Sequence, residues 1–253
     1  MIKVENLHKK IGTKIILEDL SVEIPTGKIT SLIGANGSGK STLLSIISRL
    51  LERDNGSIYL QDQELSSFKS KNLAKKISIL KQSNQMDLKL TIEELVAFGR
   101  FPHSQGRLNE IDKEKINQAL DFCSLTEIKD AYLDELSGGQ RQRAFLAMVI
   151  AQDTDYILLD EPLNNLDMKL SVQIVNTLQR LVTELNKTVI IVIHEVNFAS
   201  IYSDYIIALK DKKVAHFGET HTIITPEILK NIFDLEFEII EKDGKKFCNY
   251  FKV

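Results

Sequence analysis

The apolar run KITSLI leads straight into GANGSGKS, Gly34–Ser41, and the helix-forming stretch STLLSIISRLL begins where that turn ends. The spacing is G-x-x-x-x-G-K-[ST], placed after an apolar strand and ahead of a helix. Few folds offer that context. In such a turn the glycines let consecutive backbone N–H groups point inward at phosphate oxygens, and the helix N-terminus adds the positive end of its dipole. Lys40 is spaced to reach β- and γ-phosphates, and Ser41 to offer its hydroxyl to Mg²⁺. A Gly/Ser-rich turn can match such a pattern by chance, but the strand–turn–helix setting argues for a nucleotide, with ATP and GTP both open.

The rest of the chain continues the alternation. KIILEDLSVEI (Lys14–Ile24) reads as a strand, GKITSLIG (Gly27–Gly34) as a buried strand, and DNGSIYLQDQEL places a turn before another. From Thr91 to Ala151 apolar residues recur at three and four, in TIEELVAFGR, NEIDKEKINQALDFCSL and GGQRQRAFLAMVIAQ, so this block is helical. The βα order then returns, with YILLDE a strand, MKLSVQIVNTLQRLVTEL a helix, KTVIIVIHE a buried strand and VNFASIYS a helix. YIIALKD and KKVAHFGE follow as a strand pair. Buried β-runs separated by helices predict an α/β protein whose parallel sheet is covered on both faces and interrupted by the helical block. The basic FKSKNLAKK (Phe68–Lys76) reads as a solvated, frayed helix rather than a membrane-facing patch. In the tail, Thr225 is set to cap a helix that opens with Pro226, and the alternation of EFEIIEKDGKKFCNYF about Asp243-Gly244 predicts a hairpin.

Composition removes several classes. A net charge of −3 without a basic stripe argues against a dedicated nucleic-acid binder. The longest apolar runs, such as AFLAMVIA at Ala144–Ala151, are too short to span a bilayer, and MIKVENLHKK carries no apolar core of a secretory signal. Cys123 and Cys248 lie far apart with no CxxC, which fits reduced thiols in a cytosolic protein. His8, His103, His216 and His221 show no ligand spacing for a structural metal.

Three further clusters bear on chemistry. YILLDEP, Tyr156–Pro162, ends an apolar strand in Asp160, which sets a carboxylate at the sheet edge where nucleotides bind in open α/β folds. Asp160 suits Mg²⁺, and Glu161 suits the orientation or deprotonation of a water. His194 follows TVIIVI, where a histidine is more often a polar strand end than a functional group. LSGGQRQRAF, Leu136–Phe145, starts a helix oddly: Ser137 is a good N-cap, but two glycines weaken a helix start unless something must approach its backbone.

With these pieces in order the sequence resembles the ATP-binding cassette (ABC) family over nearly its whole length. The resemblance is carried by Gly34–Thr42, a glutamine-loop Gln82, LSGGQ at Leu136–Gln140, ILLDE at Ile157–Glu161, NNLD at Asn164–Asp167 and His194. It implies a P-loop NTPase fold with a RecA-like parallel-sheet core, an N-terminal antiparallel β subdomain and an inserted α-helical subdomain. The ATPase domain would span 1–218, with the helical insertion at about 84–150, and 219–253 would form a short helix and hairpin extension. In such ATPases two subunits pack head to tail, each ATP lying between one phosphate loop and the partner's LSGGQ. Gly34, Ala35, Asn36, Gly37, Ser38, Gly39, Lys40, Ser41 and Thr42 would therefore bind one nucleotide, and Ser137, Gly138, Gly139 and Gln140 the γ-phosphate carried by another subunit. Ser41, Gln82 and Asp160 would serve Mg²⁺, Glu161 would be the base for water, His194 would contact the γ-phosphate, and Asp167 would link the two sites. The role of Gln82 would extend to coupling the core to the helical lobe.

The resemblance also narrows the transport class. TIEELVAFGRFPHSQGR (Thr91–Arg107) looks like the branch that imports iron–siderophores, haem and vitamin B12. LSIISRLLERDNGSIYL, INQALDFCSL and AQDTDYILLDEPLNNLDMK look most like ATPases of iron–siderophore importers, of catecholate type first. VAFGRFPH also reads more simply, as a helix end with a proline stop inside the helical lobe. The implied partners are a second ATPase subunit, two transmembrane permeases and, indirectly, an extracytoplasmic siderophore-binding protein, with the chain peripheral on the cytoplasmic face of the membrane and no nucleic acid involved. Haem, cobalamin or a metal ion are the alternative cargoes. An ATPase acting on DNA or ribosomes fits less well, because it would bring coiled-coil insertions or tandem cassettes, and LSGGQ with Glu161 disfavours a phosphotransferase. One position departs from the family pattern: Ile11 stands where an adenine-stacking tyrosine is usual, so looser base discrimination is expected.

Overall fold

The computed structural model describes residues 1–82 and 89–251, and the expected start of the helical insertion near 84 lies outside them. The chain forms two compact units, Met1–Phe68 with Thr188–Val253, and Lys69–Lys187. The second is wider than the helical segment alone, because two strands and a long helix belong to it.

The first unit opens with a long hairpin, β1 (Ile2–Ile11) against β2 (Lys14–Ile24). Ile2, Val4 and Leu7 from β1 and Leu17, Leu20, Val22 and Ile24 from β2 are buried, a period-two pattern that slips by one residue between Val4 and Leu7 and between Leu17 and Leu20, where the pairing register shifts. Next come β3 (Ile29–Ile33), buried at every position, α1 (Lys40–Ile47), β4 (Asn55–Leu60) and the short β5 (Gln63–Glu64). An antiparallel sheet results, in the order β2-β1-β4-β5.

The second unit starts with α2 (Ser70–Leu73), a single turn that buries only Leu73, as a frayed basic helix should. β6 (Ile77–Leu80) leads to α3 (Ile92–Phe98), α4 (Phe101–Ser104), α5 (Glu110–Phe122) and α6 (Gly138–Ala151). Reciprocal capping boxes start α3 (Thr91 with Glu94) and α5 (Asn109 with Asp112). The proline of VAFGRFPH is not a stop. α3 has already ended at Phe98, and Pro102 sits in the first turn of α4, where its missing N–H leaves no bond unmade. β7 (Tyr156–Asp160) then pairs in parallel with β6, Ile77 opposite Tyr156 through Leu80 opposite Leu159, and α7 (Met168–Leu185) closes the unit.

Back in the first unit, β8 (Thr188–Val192), α8 (Val196–Tyr202), β9 (Tyr205–Lys210) and β10 (Lys213–Glu219) follow. β3 lies between β8 and β9 and is parallel to both, and β10 adds an antiparallel edge. After α9 (Thr220–Ile223), α10 (Pro226–Phe233) starts under a Thr225 cap, as its sequence predicts. β11 (Glu238–Lys242) and β12 (Lys245–Asn249) form the predicted hairpin, with Asp243 and Gly244 both at positive φ, the requirement of a type I′ turn. This tail shares the core of its unit: Leu229, Ile232, Phe237 and Cys248 pack in one cluster with Ile33, Val196 and Ile206. Asn197 of α8 donates to the Cys248 carbonyl and accepts from its N–H, acting as a strand neighbour for β12. Both cysteines are free and buried. Burial pushes the Cys123 thiol up to about 12 and the Cys248 thiol to about 11, so both stay protonated and unreactive at neutral pH.

The helical part of the second unit is tied by one buried ion pair. Arg100 Nε donates to Asp112 at 2.9 Å, and Nη1 donates to the Ala151 carbonyl at 2.8 Å, joining the starts of α4 and α5 to the end of α6. Burial alone would raise the Asp112 carboxyl. The Asn109 N–H and the Arg100 guanidinium outweigh it and hold the group below the ordinary carboxylate range. A depressed carboxyl contributes stability above its unfolded value, about 4, and loses it as pH falls through the folded one. Arg100→Leu should cost about 3–5 kcal/mol, because it leaves a buried carboxylate without its cation. Urea unfolding at pH 7 measures this, and the gap from wild type should narrow on acidification as Asp112 is protonated.

Candidate functional site

In the first unit the phosphate turn leaves the C-terminal end of β3, and His194 follows β8. The two parallel strands end at one edge, since Leu32 is opposite Val192. Three glycines bend the turn, Gly34 at φ +138°, Gly37 at +79° and Gly39 at +104°. Each is required differently. A Cβ on Gly34 would lie 2.2 Å from the Leu209 carbonyl oxygen and one on Gly39 2.5 Å from Leu17 Cδ2, while Gly37 faces open space and is constrained only by its dihedral. Ala35, Asn36 and Gly37 are exposed, Ser38 and Gly39 are buried, and Ser41 and Thr42 are half-buried. Lys40 is only 5 % exposed, and its ammonium donates to the Gly34 and Ala35 carbonyls at 2.8 and 3.0 Å. α1 begins on Gly39 with no side-chain cap and no acidic residue in its own first turn, which suits the positive end of its dipole to an anion. Ser38 Oγ is buried and, among the described residues, without a hydrogen-bond partner. A hydroxyl left so on a glycine turn is suited to a phosphate oxygen. His194 is exposed just ahead of α8, whose N-cap is Glu195. Ile11 is 54 % exposed beside the β1–β2 turn.

In the second unit Gln82 and the Asp160–Glu161 pair follow the parallel strands β6 and β7, which brings them together: Gln82 Nε2 donates to Glu161 Oε2. Asp160 is 5 % exposed at the end of a wholly buried strand, and Glu161 turns out of that strand at φ +52°. Asn164 Nδ2 donates to the same Glu161 oxygen. The sequence gives no sign of this contact, which depends on the bend of the loop after Glu161.

The odd helix start at LSGGQ divides into local and outward parts. Ser137 and Gln140 form a capping box, Ser137 Oγ accepting from the Gln140 N–H at 3.3 Å and Gln140 Oε1 accepting from the Ser137 N–H at 2.9 Å. Gly139 is buried, and a Cβ there would meet Leu170 Cδ1 at 2.1 Å, so any larger residue would have to displace the Leu170 side chain. A Cβ built on Gly138 would meet nothing within 4 Å among the described residues. Asp167 caps α7, accepting from the Leu170 N–H at 2.8 Å.

A glycine turn at a buried strand end, an inward lysine and an acidic strand end beside a glutamine define a P-loop nucleoside-triphosphate-binding protein of the α/β class. Comparison with known proteins narrows this. The family model described as ABC transporter matches residues 17–164. The petrobactin import ATP-binding protein YclP of Bacillus subtilis (strain 168) is 58 % identical over 251 residues, covering 99 % of this chain and 100 % of that protein. The iron(3+)-hydroxamate import ATP-binding protein FhuC of the same organism is 42 % identical, covering 96 % and 92 %. The solved dimer of the ATP-binding cassette MJ0796 in a post-hydrolysis state, bound to ADP and Pi, superposes with a TM-score of 0.76 at 30 % identity, covering 87 % and 99 %. The chain belongs to the ABC transporter family, as a transport ATPase with the cassette fold that its motifs led us to expect. Among the described residues no helix is long and apolar enough to cross a membrane.

The cap on α7 gives a test that separates folding from chemistry at Asp167. Asp167→Ala should lower stability by about 0.5–2 kcal/mol, while Asp167→Asn, which keeps an acceptor oxygen, should stay close to wild type in denaturant unfolding.

Proposed function

We propose that this chain hydrolyses ATP in a pair of cassettes to energise uptake of an iron–siderophore complex, with petrobactin as the cargo, through separate membrane permeases. The end-to-end likeness to a protein named for petrobactin import carries the reading. A second copy of the chain supplies Ser137, Gly138, Gly139 and Gln140 to each nucleotide, which gives the open approach to Gly138 a purpose. The helical subdomain at about 84–150 passes closure to the permeases, from a peripheral position on the cytoplasmic face, while an extracytoplasmic binding protein delivers the siderophore. The segment 219–253 is an extension of the ATPase domain at 1–218.

The residues present suit ATP with Mg²⁺. Ser41, Gln82 and Asp160 offer hard oxygen donors with a single carboxylate, the sparse protein ligation that Mg²⁺ takes when phosphates complete its shell. When bound, Mg²⁺ would neutralise charge developing on the phosphates. Lys40 exchanges its two loop carbonyls for β- and γ-oxygens, and the N–H groups of Gly34–Thr42 and the Ser38 hydroxyl hold the phosphate chain. Glu161 takes the proton from the attacking water, Gln82 and His194 orient the γ-phosphate side, and Asp167 links one site to the other.

Glu161→Gln should keep ATP binding and lower turnover by about 10²-fold or more. In a deletion strain grown without iron, wild type should restore ⁵⁵Fe-petrobactin uptake and Glu161→Gln should not. Uptake restored equally for a ferric hydroxamate but not for petrobactin would replace the proposed cargo.

Base recognition gives a separate test at Ile11. Restoring an aromatic with Ile11→Tyr should tighten ATP binding about 2–10-fold, the worth of one ring stack, as read by titration with a fluorescent ATP analogue and competition by GTP.

A further inference from the structure

We propose that Asn164 is a positioning residue for hydrolysis, holding the Glu161 carboxylate from within the same chain. The inference rests on the reading of Glu161 as the base. Glu161 is half-buried and leaves β7 in a left-handed backbone conformation, φ +52°, so the regular strand no longer dictates where its side chain points. A glutamate in that setting has three free side-chain torsions, and something must choose among its rotamers. The loop that follows does so. The Asn164 N–H donates to the Glu161 carbonyl at 3.3 Å, closing a turn over Pro162 and Leu163, and this brings the Asn164 side-chain amide onto Glu161 Oε2.

Gln82 donates to that same oxygen, but the two donors are not equivalent. Gln82 belongs to another segment and has a second proposed duty toward Mg²⁺. Asn164 sits on the turn that carries Glu161, and that turn is braced at both ends. Gln142 of α6 donates to the Pro162 carbonyl at 3.0 Å, and Asp167 caps α7 through the Leu170 N–H. Asn164 therefore provides the fixed reference, and its bond to an ionised carboxylate is of the stronger, charge-assisted kind. An aspartate at 164 would keep the shape, remove the donor and set a like charge against Glu161. Because Asn164 is exposed, its replacement should disturb catalysis more than folding.

Two measurements on the full chain test this. Asn164→Ala should lower kcat about tenfold and Asn164→Asp more, with KM for ATP within about twofold of wild type. In the isotope-labelled, nucleotide-free chain, the side-chain amide resonances of Asn164 should shift when Glu161→Ala removes their charged acceptor. Unmoved amide resonances overturn the proposal, as do kcat values within about twofold of wild type in both variants, or a change carried wholly by KM. Full hydrolysis by Glu161→Gln would sink the base reading, and the positioning role with it. A dead Glu161→Gln beside unimpaired Asn164 variants would sink the positioning role alone.

Discussion

The approach of Gly34 to the Leu209 carbonyl sets the shape of the phosphate turn. β3 is hydrogen-bonded on both sides by parallel neighbours, so its end cannot move away from β9, and no Cβ fits between the two backbones. The chain must pass that point as glycine, at a φ that other residues rarely adopt. Everything downstream inherits this geometry. Gly39 tucks beneath Leu17 of the β1–β2 hairpin, α1 starts there without a side-chain cap, and the Lys40 ammonium folds back onto the carbonyls of the turn. A loop held so tightly by its own sheet can present N–H groups to an anion without first being ordered, which is where preorganised binding gains its strength.

The same economy appears at the helix starts of the other unit, where residues that the family resemblance ties to nucleotide also perform local work. Ser137 and Gln140 cap α6 reciprocally, Gly139 makes room for Leu170, and Asp167 caps the helix that bears Leu170. The starts of α6 and α7 are thus one packed structure. A substitution at Gly139 would displace Leu170 as well as alter an anion-facing backbone, so loss of activity there cannot be assigned to nucleotide contact alone. Gly138, with open space around it, is the position in the motif where local packing makes no demand for glycine.

Fully buried strands were the most legible part of the sequence. ITSLI, YILLD and TVIIV are continuous apolar runs between turn signals, and each is a strand buried at every position. Caps were legible where a serine or threonine precedes an amphipathic run, as at Ser137 and Thr225, and Asp243-Gly244 announced its hairpin. β6 escaped notice because ISIL is four residues long and follows a basic stretch that masks it. Long-range burial was hidden too. Nothing in the sequence distinguishes Arg100 from a solvated arginine, because its partner Asp112 lies 12 residues on and its carbonyl acceptor 51. The tail read as a helix and hairpin, but its place in the core with Ile33 and Ile206 depends on packing that no local pattern encodes. Within the candidate site, spacing named the motif residues that are proposed to bind nucleotide, but not the Asn164–Glu161 contact, which arises from the bend of the loop. The proposed cargo lies at the other extreme: the proposal rests on likeness over the whole chain, not on any residue's chemistry.

That bend shows how two adjacent carboxylates could take the different duties proposed for them. In a continuing strand Asp160 and Glu161 would point to opposite faces, and the second would be lost to the site. Asp160 keeps the strand conformation and is buried at its end, where it can serve a cation, whereas Glu161 enters a left-handed conformation that costs a non-glycine residue about 1–2 kcal/mol. Such strain persists only where neighbours over-determine it. Here they do: the Asn164 N–H on the Glu161 carbonyl, Gln142 on Pro162 and the Asp167 cap hold the loop, and Gln82 and Asn164 hold the carboxylate. A glycine at 161 would relieve the backbone and abolish the acid, while a glutamate there without the brace would wander. The strained residue and its supports therefore form one device, and the carboxylate gains a defined direction from two amide donors, Gln82 and, on its own loop, Asn164.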